Sequence, residues 1–152
     1  MARTDISAGI LAFRRGQVID FLLAHPGGPY WALKDENAWT IPKGLVEKGA
    51  DLLATAQREF LEETGLVATG PFIALEPVKQ KSGKIVYAFA CEGDFDLANV
   101  HSNTFEIEWP PRSGQRQAFP EIDQVSYFDP GTALKKILTY QRPFIAELSR
   151  RL

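Results

Sequence analysis

The segment 51-DLLATAQREFLEETG-65 constrains the fold more than any other part of the chain. Leu52, Leu53, Ala56, Phe60 and Leu61 recur at helical spacing, Asp51 is a good N-cap, and Gly65 suits the residue just past a helix end. Phe60 and Leu53 can bury against a sheet, whereas Glu59, Glu62 and Glu63 fall at i, i+3 and i+4 on one side. Like charges at these spacings repel, at a cost of about 0.2–0.5 kcal/mol per pair. They also occupy the last turns, where the helix dipole disfavours negative charge. A positive partner is therefore expected. Arg58, four residues before Glu62, could offset a solvated acidic face, or a metal ion could sit among the carboxylates. The preceding loop, 40-TIPKGLVEKG-49, can place backbone groups and a cation beside them. Hard oxygen ligands converging on one point suit Mg²⁺ or Mn²⁺.

The layer beneath this helix is expected to be a sheet. Residues 6-ISAGILAF-13 and 18-VIDFLLAH-25 read as two apolar strands around the turn 14-RRGQ-17. A Pro/Gly loop, 26-PGGPYWALKDENA-38, runs into 39-WTIP-42, a short extended piece. After the helix, strands are expected near 66–78 and 84–93 with a turn at Ser82-Gly83, then at 104–109 and 124–128, with 110–123 as a loop. Helical patterns cover 132–140 and 143–151, split by Pro143. Hairpins mixed with helices imply an α+β fold, a mixed β-sheet packed between helices as an α/β/α sandwich. With no repeat or dividing linker, residues 1–152 read as one domain.

Charge and cysteine content narrow the function classes. A net charge of −2 argues against bulk nucleic-acid binding, so an anionic ligand would need a local site of metal or clustered Lys and Arg. Cys91 is the single cysteine, which excludes an internal disulfide and fits a reducing compartment. It reads as a small buried side chain in 84-KIVYAFAC-91. The N-terminal sequence lacks a basic start followed by a long apolar run, and no apolar run approaches the roughly 20 residues that span a bilayer. A soluble cytoplasmic protein without membrane partners is expected.

The segment 44-GLVEKGADLLATAQREFLEETGL-66 resembles the signature box of the Nudix hydrolases. Gly44, Arg58, Glu59, Glu62, Glu63, Gly65 and Leu66 match the box, and Phe60 fills an apolar slot usually held by an aliphatic residue. The order of the flanking strands and of the C-terminal helix extends the likeness over most of the chain. One position departs. The first box glutamate would stand at 50, where this chain has Ala50, so Arg58 loses its expected partner; Glu47 and Asp51 are the nearby acids that could substitute. The expected consequence is weaker metal binding or a looser loop without loss of the site.

The resemblance implies a nucleoside diphosphate derivative as small-molecule substrate, cleaved at a phosphoanhydride with Mg²⁺ or Mn²⁺. It places Arg58, Glu59, Glu62 and Glu63 in the catalytic centre and makes Glu62 and Glu63 the foremost metal ligands. Glu59 is a further ligand or the base, the Gly44 carbonyl adds a ligand, and Glu121 in 119-FPEID-123 is a candidate fourth carboxylate. Lys43 lies in 39-WTIPKG-44, a form similar to members acting on dinucleoside polyphosphates. Lys79 and Lys81 in 79-KQKSGK-84, with Arg112 and Arg116, are candidate contacts to a longer phosphate chain. Tyr30, Trp31 or Phe119 could stack on a base, Trp39 reads as core, and His25 and His101 read as structural or surface groups. Glu106 and Glu108 read as a solvent face of one strand. Alternative readings are a (d)NTP pyrophosphohydrolase and a nucleotide-binding module that does not hydrolyse. Many members form a homodimer, but nothing in the sequence marks an interface.

Overall fold

The computed structural model describes residues 5–152. The apolar runs Ile6–Arg15 (β1) and Ile19–Pro26 (β2) form the expected hairpin, with Phe13 opposite Phe21. Lys43–Leu45 (β3) pairs with β1 antiparallel, and Ile85–Glu92 (β6) pairs with its other edge in parallel over Ile6–Phe13. Phe72–Ala74 (β4) and Val78–Lys79 (β5) both pair with β6, while Ile122–Phe128 (β9) pairs with β2. The result is a mixed seven-stranded sheet of order β4-β6-β1-β2-β9, with β3 and β5 attached to β1 and β6. Thr104–Glu108 (β7) and Arg116–Pro120 (β8) make a separate two-stranded hairpin.

Alternation along β1 sends its side chains into two cores. Ala8, Ile10 and Ala12 face Leu52–Thr64 (α1), where Ala56 and Phe60 are buried. Leu11 and Phe13 face the opposite layer, Pro130–Lys136 (α2) and Arg142–Arg151 (α3), with Ala133, Phe144, Ile145 and Leu148. The α/β/α arrangement is thus the one expected, because a central strand apolar on both faces needs a cover on each. No helix among the described residues is long and apolar enough to cross a membrane.

Several boundaries differ from expectation, each for a local reason. Of the strand expected over 66–78 only β4 and β5 form, because Pro71 and Pro77 cannot donate to a ladder. The expected loop 110–123 contains β8, whose exposed sequence RQAFP carries little strand propensity and is held by register with β7. The extended piece at 39–42 contributes only isolated bridges, Ala24 with Thr40 and Trp39 with Ile137, and the paired strand comes later as β3. That second bridge ends α2: Ile137 turns extended (φ −71°, ψ 147°), so the helix expected to reach 140 stops at Lys136. A 3₁₀ turn, Thr139–Gln141, then buries Gln141, whose Oε1 accepts from the Ile41 N–H and whose Nε2 donates to Thr40 Oγ1 and the Tyr140 hydroxyl.

Adjacent residues of α1 should respond very differently to truncation. Phe60 is fully buried, so Phe60→Ala should cost about 3–5 kcal/mol in urea unfolding. Leu61, 46% exposed, should cost under about 1 kcal/mol as Leu61→Ala. Equal losses would mean that α1 does not dock through Phe60.

Candidate active site

The ends of α1 are fixed by local chemistry. Asp51 Oδ2 accepts from the Ala54 N–H at 2.8 Å, and Gly65 takes the left-handed conformation (φ 78°) while its N–H donates to the Leu61 carbonyl. Between these caps Glu59 and Glu63 face β3. The approach is close because two glycines allow it. A Cβ on Gly9 would lie 2.7 Å from the Lys43 Cβ, and a Cβ on Gly44 would overlap the Glu59 carboxylate. Gly44 thus gives Glu59 its place against the strand.

Glu121 joins the cluster through the backbone. Its N–H donates to the Asn103 carbonyl (2.8 Å), its carbonyl accepts from Gly27 N–H (2.9 Å), and the Asn103 N–H donates to the Glu62 carbonyl (3.0 Å). The base of the β7–β8 hairpin is therefore tied to the last turn of α1. Asn103 acts through main-chain atoms alone, which carry no side-chain signal in the sequence, whereas Gly27 leaves the space that a Cβ, overlapping the Pro120 carbonyl oxygen, would fill.

The electrostatics of this group are unfavourable by themselves. Glu63 is 6% exposed, and its Oε2 is buried without a hydrogen-bond partner among the described residues. Burial, then the neighbouring Glu59, push its pKa up to about 8 against the opposing pull of Lys43. Glu59 is raised by burial and by Glu62 and Glu121, with Arg58 opposing, and Glu121 is raised by burial and by Glu62. Lys43, beside Gly44, is lowered by burial while Glu63 and Glu59 hold its charge. Carboxylates that destabilise one another, one of them buried with an orphaned oxygen among the described residues, suit a divalent cation.

Arg58 currently supplies part of the missing charge. Its Nη1 lies 3.1 Å from Glu62 Oε1 and 3.2 Å from Glu59 Oε1. Ala50 is exposed and offers Arg58 nothing, and Asp51 is committed to the helix cap. Among the described residues no three acidic, histidine or cysteine groups converge as a ready metal cage, with Glu62 turned to Arg58.

The structure thus brings Gly44, Lys43, Arg58, Glu59, Glu62, Glu63 and Glu121 together. The remaining candidates stand elsewhere. Lys79 is on β5, and Lys81 lines a hollow with Leu138, Thr139 and Tyr140, residues between α2 and α3. Arg112 sits at the turn of the β7–β8 hairpin, its N–H donating to Glu108 Oε1, and Arg116 Nη2 donates to the Glu106 carbonyl. Tyr30 meets Trp109 edge-on at 5.3 Å, Trp31 lies under Lys34, and Phe119 packs near Phe105. Trp39 is core, as expected. Glu106 and Glu108 form an exposed face. Both ring nitrogens of buried His25 face acceptors, Asp123 Oδ1 and the Lys34 carbonyl, which ties the 26–38 loop to β9; His101 packs on Gly65. Burial pushes the Cys91 thiol up to about 11, as an inert core residue requires.

The raised Glu63 pKa has a stability consequence. In chelator the folded state holds a proton on Glu63 that the unfolded chain releases above about pH 4.5. The stabilisation from this group is therefore present near pH 4.5 and is lost as pH rises through about 8. Melting temperatures in EDTA should fall from pH 5 to pH 8, and Glu63→Gln should flatten that slope; an unchanged slope in the variant would contradict it.

Comparison with known proteins places this geometry. The chain is 28% identical over 86 residues to Nudix hydrolase 7 of Arabidopsis thaliana, a match covering 51% of this chain and 30% of that protein. It spans less than a third of the length of the curated relatives it matches. Its fold is similar to a C. elegans Ap4A hydrolase in a binary complex (TM-score 0.65, 21% identity, covering 95% of this chain and 96% of the other). It is equally similar to the NUDIX domain of Shewanella oneidensis NrtR complexed with ADP ribose (TM-score 0.66, 16% identity, covering 99% and 89%). The model of the NUDIX domain matches residues 3–148, and with the glutamate helix, its glycine-gated strand and the α/β/α frame in place, the chain belongs to the Nudix family.

Proposed function

We propose that this protein is a divalent-cation-dependent pyrophosphohydrolase acting on a nucleoside diphosphate derivative, with a dinucleoside polyphosphate as the preferred class. The observation that carries the proposal is the buried Oε2 of Glu63, without a partner among the described residues, beside Glu59 and Glu121. A desolvated carboxylate with an orphaned oxygen must hold either a proton or a cation, and an exposed one needs neither.

Glu59, Glu62, Glu63 and Glu121, with the Gly44 carbonyl, are the groups that would hold Mg²⁺ or Mn²⁺. Such an ion supplies neutralisation of phosphate oxygens and acidifies water. Gly44 keeps the Glu59 carboxylate against β3, so its carboxylate is positioned before substrate arrives. Lys43 adds a half-buried ammonium beside Glu63 and Glu59, available to a phosphate oxygen. In the hydrolysis, water oxygen bonds to phosphorus, the bridging P–O bond breaks, and the water proton passes to a carboxylate of the cluster. Arg116, at the far end of β8 from Glu121 with its Nη2 on the Glu106 carbonyl, would reach only the distal part of a longer phosphate chain. The Pro42-Lys43-Gly44 form and the fold likeness to an Ap4A hydrolase support the dinucleoside class.

A second reading is a module that binds a nucleotide without hydrolysing it. The pairing of Arg58 with two of the glutamates, beside Ala50, favours it.

Chromatography of products from dinucleoside polyphosphates, (d)NTPs and nucleotide sugars, with Mg²⁺ or Mn²⁺, tests these readings. Dinucleoside tetraphosphate should yield NTP plus NMP, and Glu62→Gln/Glu63→Gln should lower the rate by at least about 10²-fold. NMP plus pyrophosphate from triphosphates alone would replace the substrate class. No turnover, with a nucleotide still raising the melting temperature, would establish the second reading.

A further inference from the structure

The cation that now faces the glutamates is part of the protein. Arg58 Nη1 contacts both carboxylate oxygens of Glu62 (3.1 and 3.2 Å) and Glu59 Oε1 (3.2 Å). It therefore competes for two of the groups that a divalent ion would take. The contact is a weak one. Arg58 is 49% exposed at its side chain, and an arginine preceding its glutamate by four residues is the less favourable order on a helix.

A second place for the guanidinium lies in the opposite direction. Asp51, Ala54, Thr55 and Arg58 form one stripe along α1, and with Glu47 and Ala50 they line a single open hollow. Helical side chains lean toward the N-terminus, so Arg58 is directed along this stripe by its own Cα–Cβ bond. At the far side stands Glu47. The Ala50 N–H donates to the Glu47 carbonyl at 2.9 Å, which closes a turn between them, with Gly49 left-handed (φ 81°). The ends of such a turn lie within about 7 Å of each other. Glu47 thus springs from beside the position where Ala50 leaves space, and it forms no ion pair among the described residues. Its charge already acts favourably on Arg58.

We propose that Arg58 is a resident cation of the glutamate site, that a divalent ion displaces it from Glu59 and Glu62, and that Glu47 receives it across the turn from Ala50. Binding of the ion is then coupled to ordering of the 47–50 turn. Glu47 is a positioning residue: it acts on the site through Arg58. The inference rests on the cation-binding half of the proposed function and not on its substrate.

Mn²⁺ titration of the full chain without substrate, with free Mn²⁺ read by electron paramagnetic resonance, tests the exchange. Arg58→Ala should bind Mn²⁺ about three- to tenfold more tightly, since a competitor is gone. Glu47→Gln should bind about threefold more weakly, and in the Arg58→Ala background the same change should have almost no effect. Mn²⁺ should also slow amide exchange across 47–50 in the wild type and not in Glu47→Gln. Equal weakening by Glu47→Gln in both backgrounds would reduce Glu47 to a distant charge and overturn the exchange, as would weaker or unchanged binding by Arg58→Ala. Mn²⁺ bound alike by all four proteins would overturn the exchange while leaving the cation site standing. No Mn²⁺ bound by the wild type would remove both.

Discussion

Burial of the Glu63 carboxylate behind β3 is the constraint around which the site is organised. An ionised carboxylate taken out of water without a partner is costly, and here Oε2 has none among the described residues. Burial raises the Glu63 pKa most, Glu59 and Glu121 add to the rise, and Lys43 opposes them through its charge and its backbone hydrogen bond. The raised pKa keeps a proton on Glu63 at neutral pH, and a cation bound as proposed would take that proton's place. Every other feature of the site serves that approach. Gly44 lets Glu59 lie against the strand, Gly9 lets β3 lie against β1, and the Asn103–Glu121 pairing brings another carboxylate to the end of the helix.

The frame holds this arrangement rigid. Phe60, fully buried one residue after Glu59, anchors the same helix that presents the acids. The helix register is thereby set by packing, and a rotation that separated the carboxylates would expose Phe60. Tension at the site is thus opposed by the apolar core beneath it, as functional sites often require.

The glutamate helix was legible because its signals are local: an N-cap at Asp51, a left-handed glycine at 65 and apolar spacing between them. Glu59, Glu62 and Glu63 could be placed on one face from periodicity alone. Glu121 was named from the family likeness, yet what brings it there is main-chain pairing with Gly27 and Asn103, of which only the glycine, lying against Pro120, is a sequence signal. The same distinction explains the errors in the fold. β8 is a polar edge strand stabilised by pairing with β7, and α2 ends where Ile137 bridges Trp39, a contact nearly a hundred residues apart in sequence. The place of Arg58 was half legible: the i,i+4 spacing pointed to Glu62 and Ala50 to a missing partner, whereas the contact with Glu59 is seen only in the structure.

The most direct measurement of the central claim is the number of protons released when Mg²⁺ or Mn²⁺ binds, obtained by titration calorimetry in buffers of differing ionisation heat. With Glu63 titrating at about 8 in the free protein, cation binding at pH 7 should release close to one proton, falling toward none at pH 9. Binding without proton release at pH 7 would show that Glu63 is already ionised and partnered. The buried, proton-holding carboxylate would then not be what prepares this site for its cation.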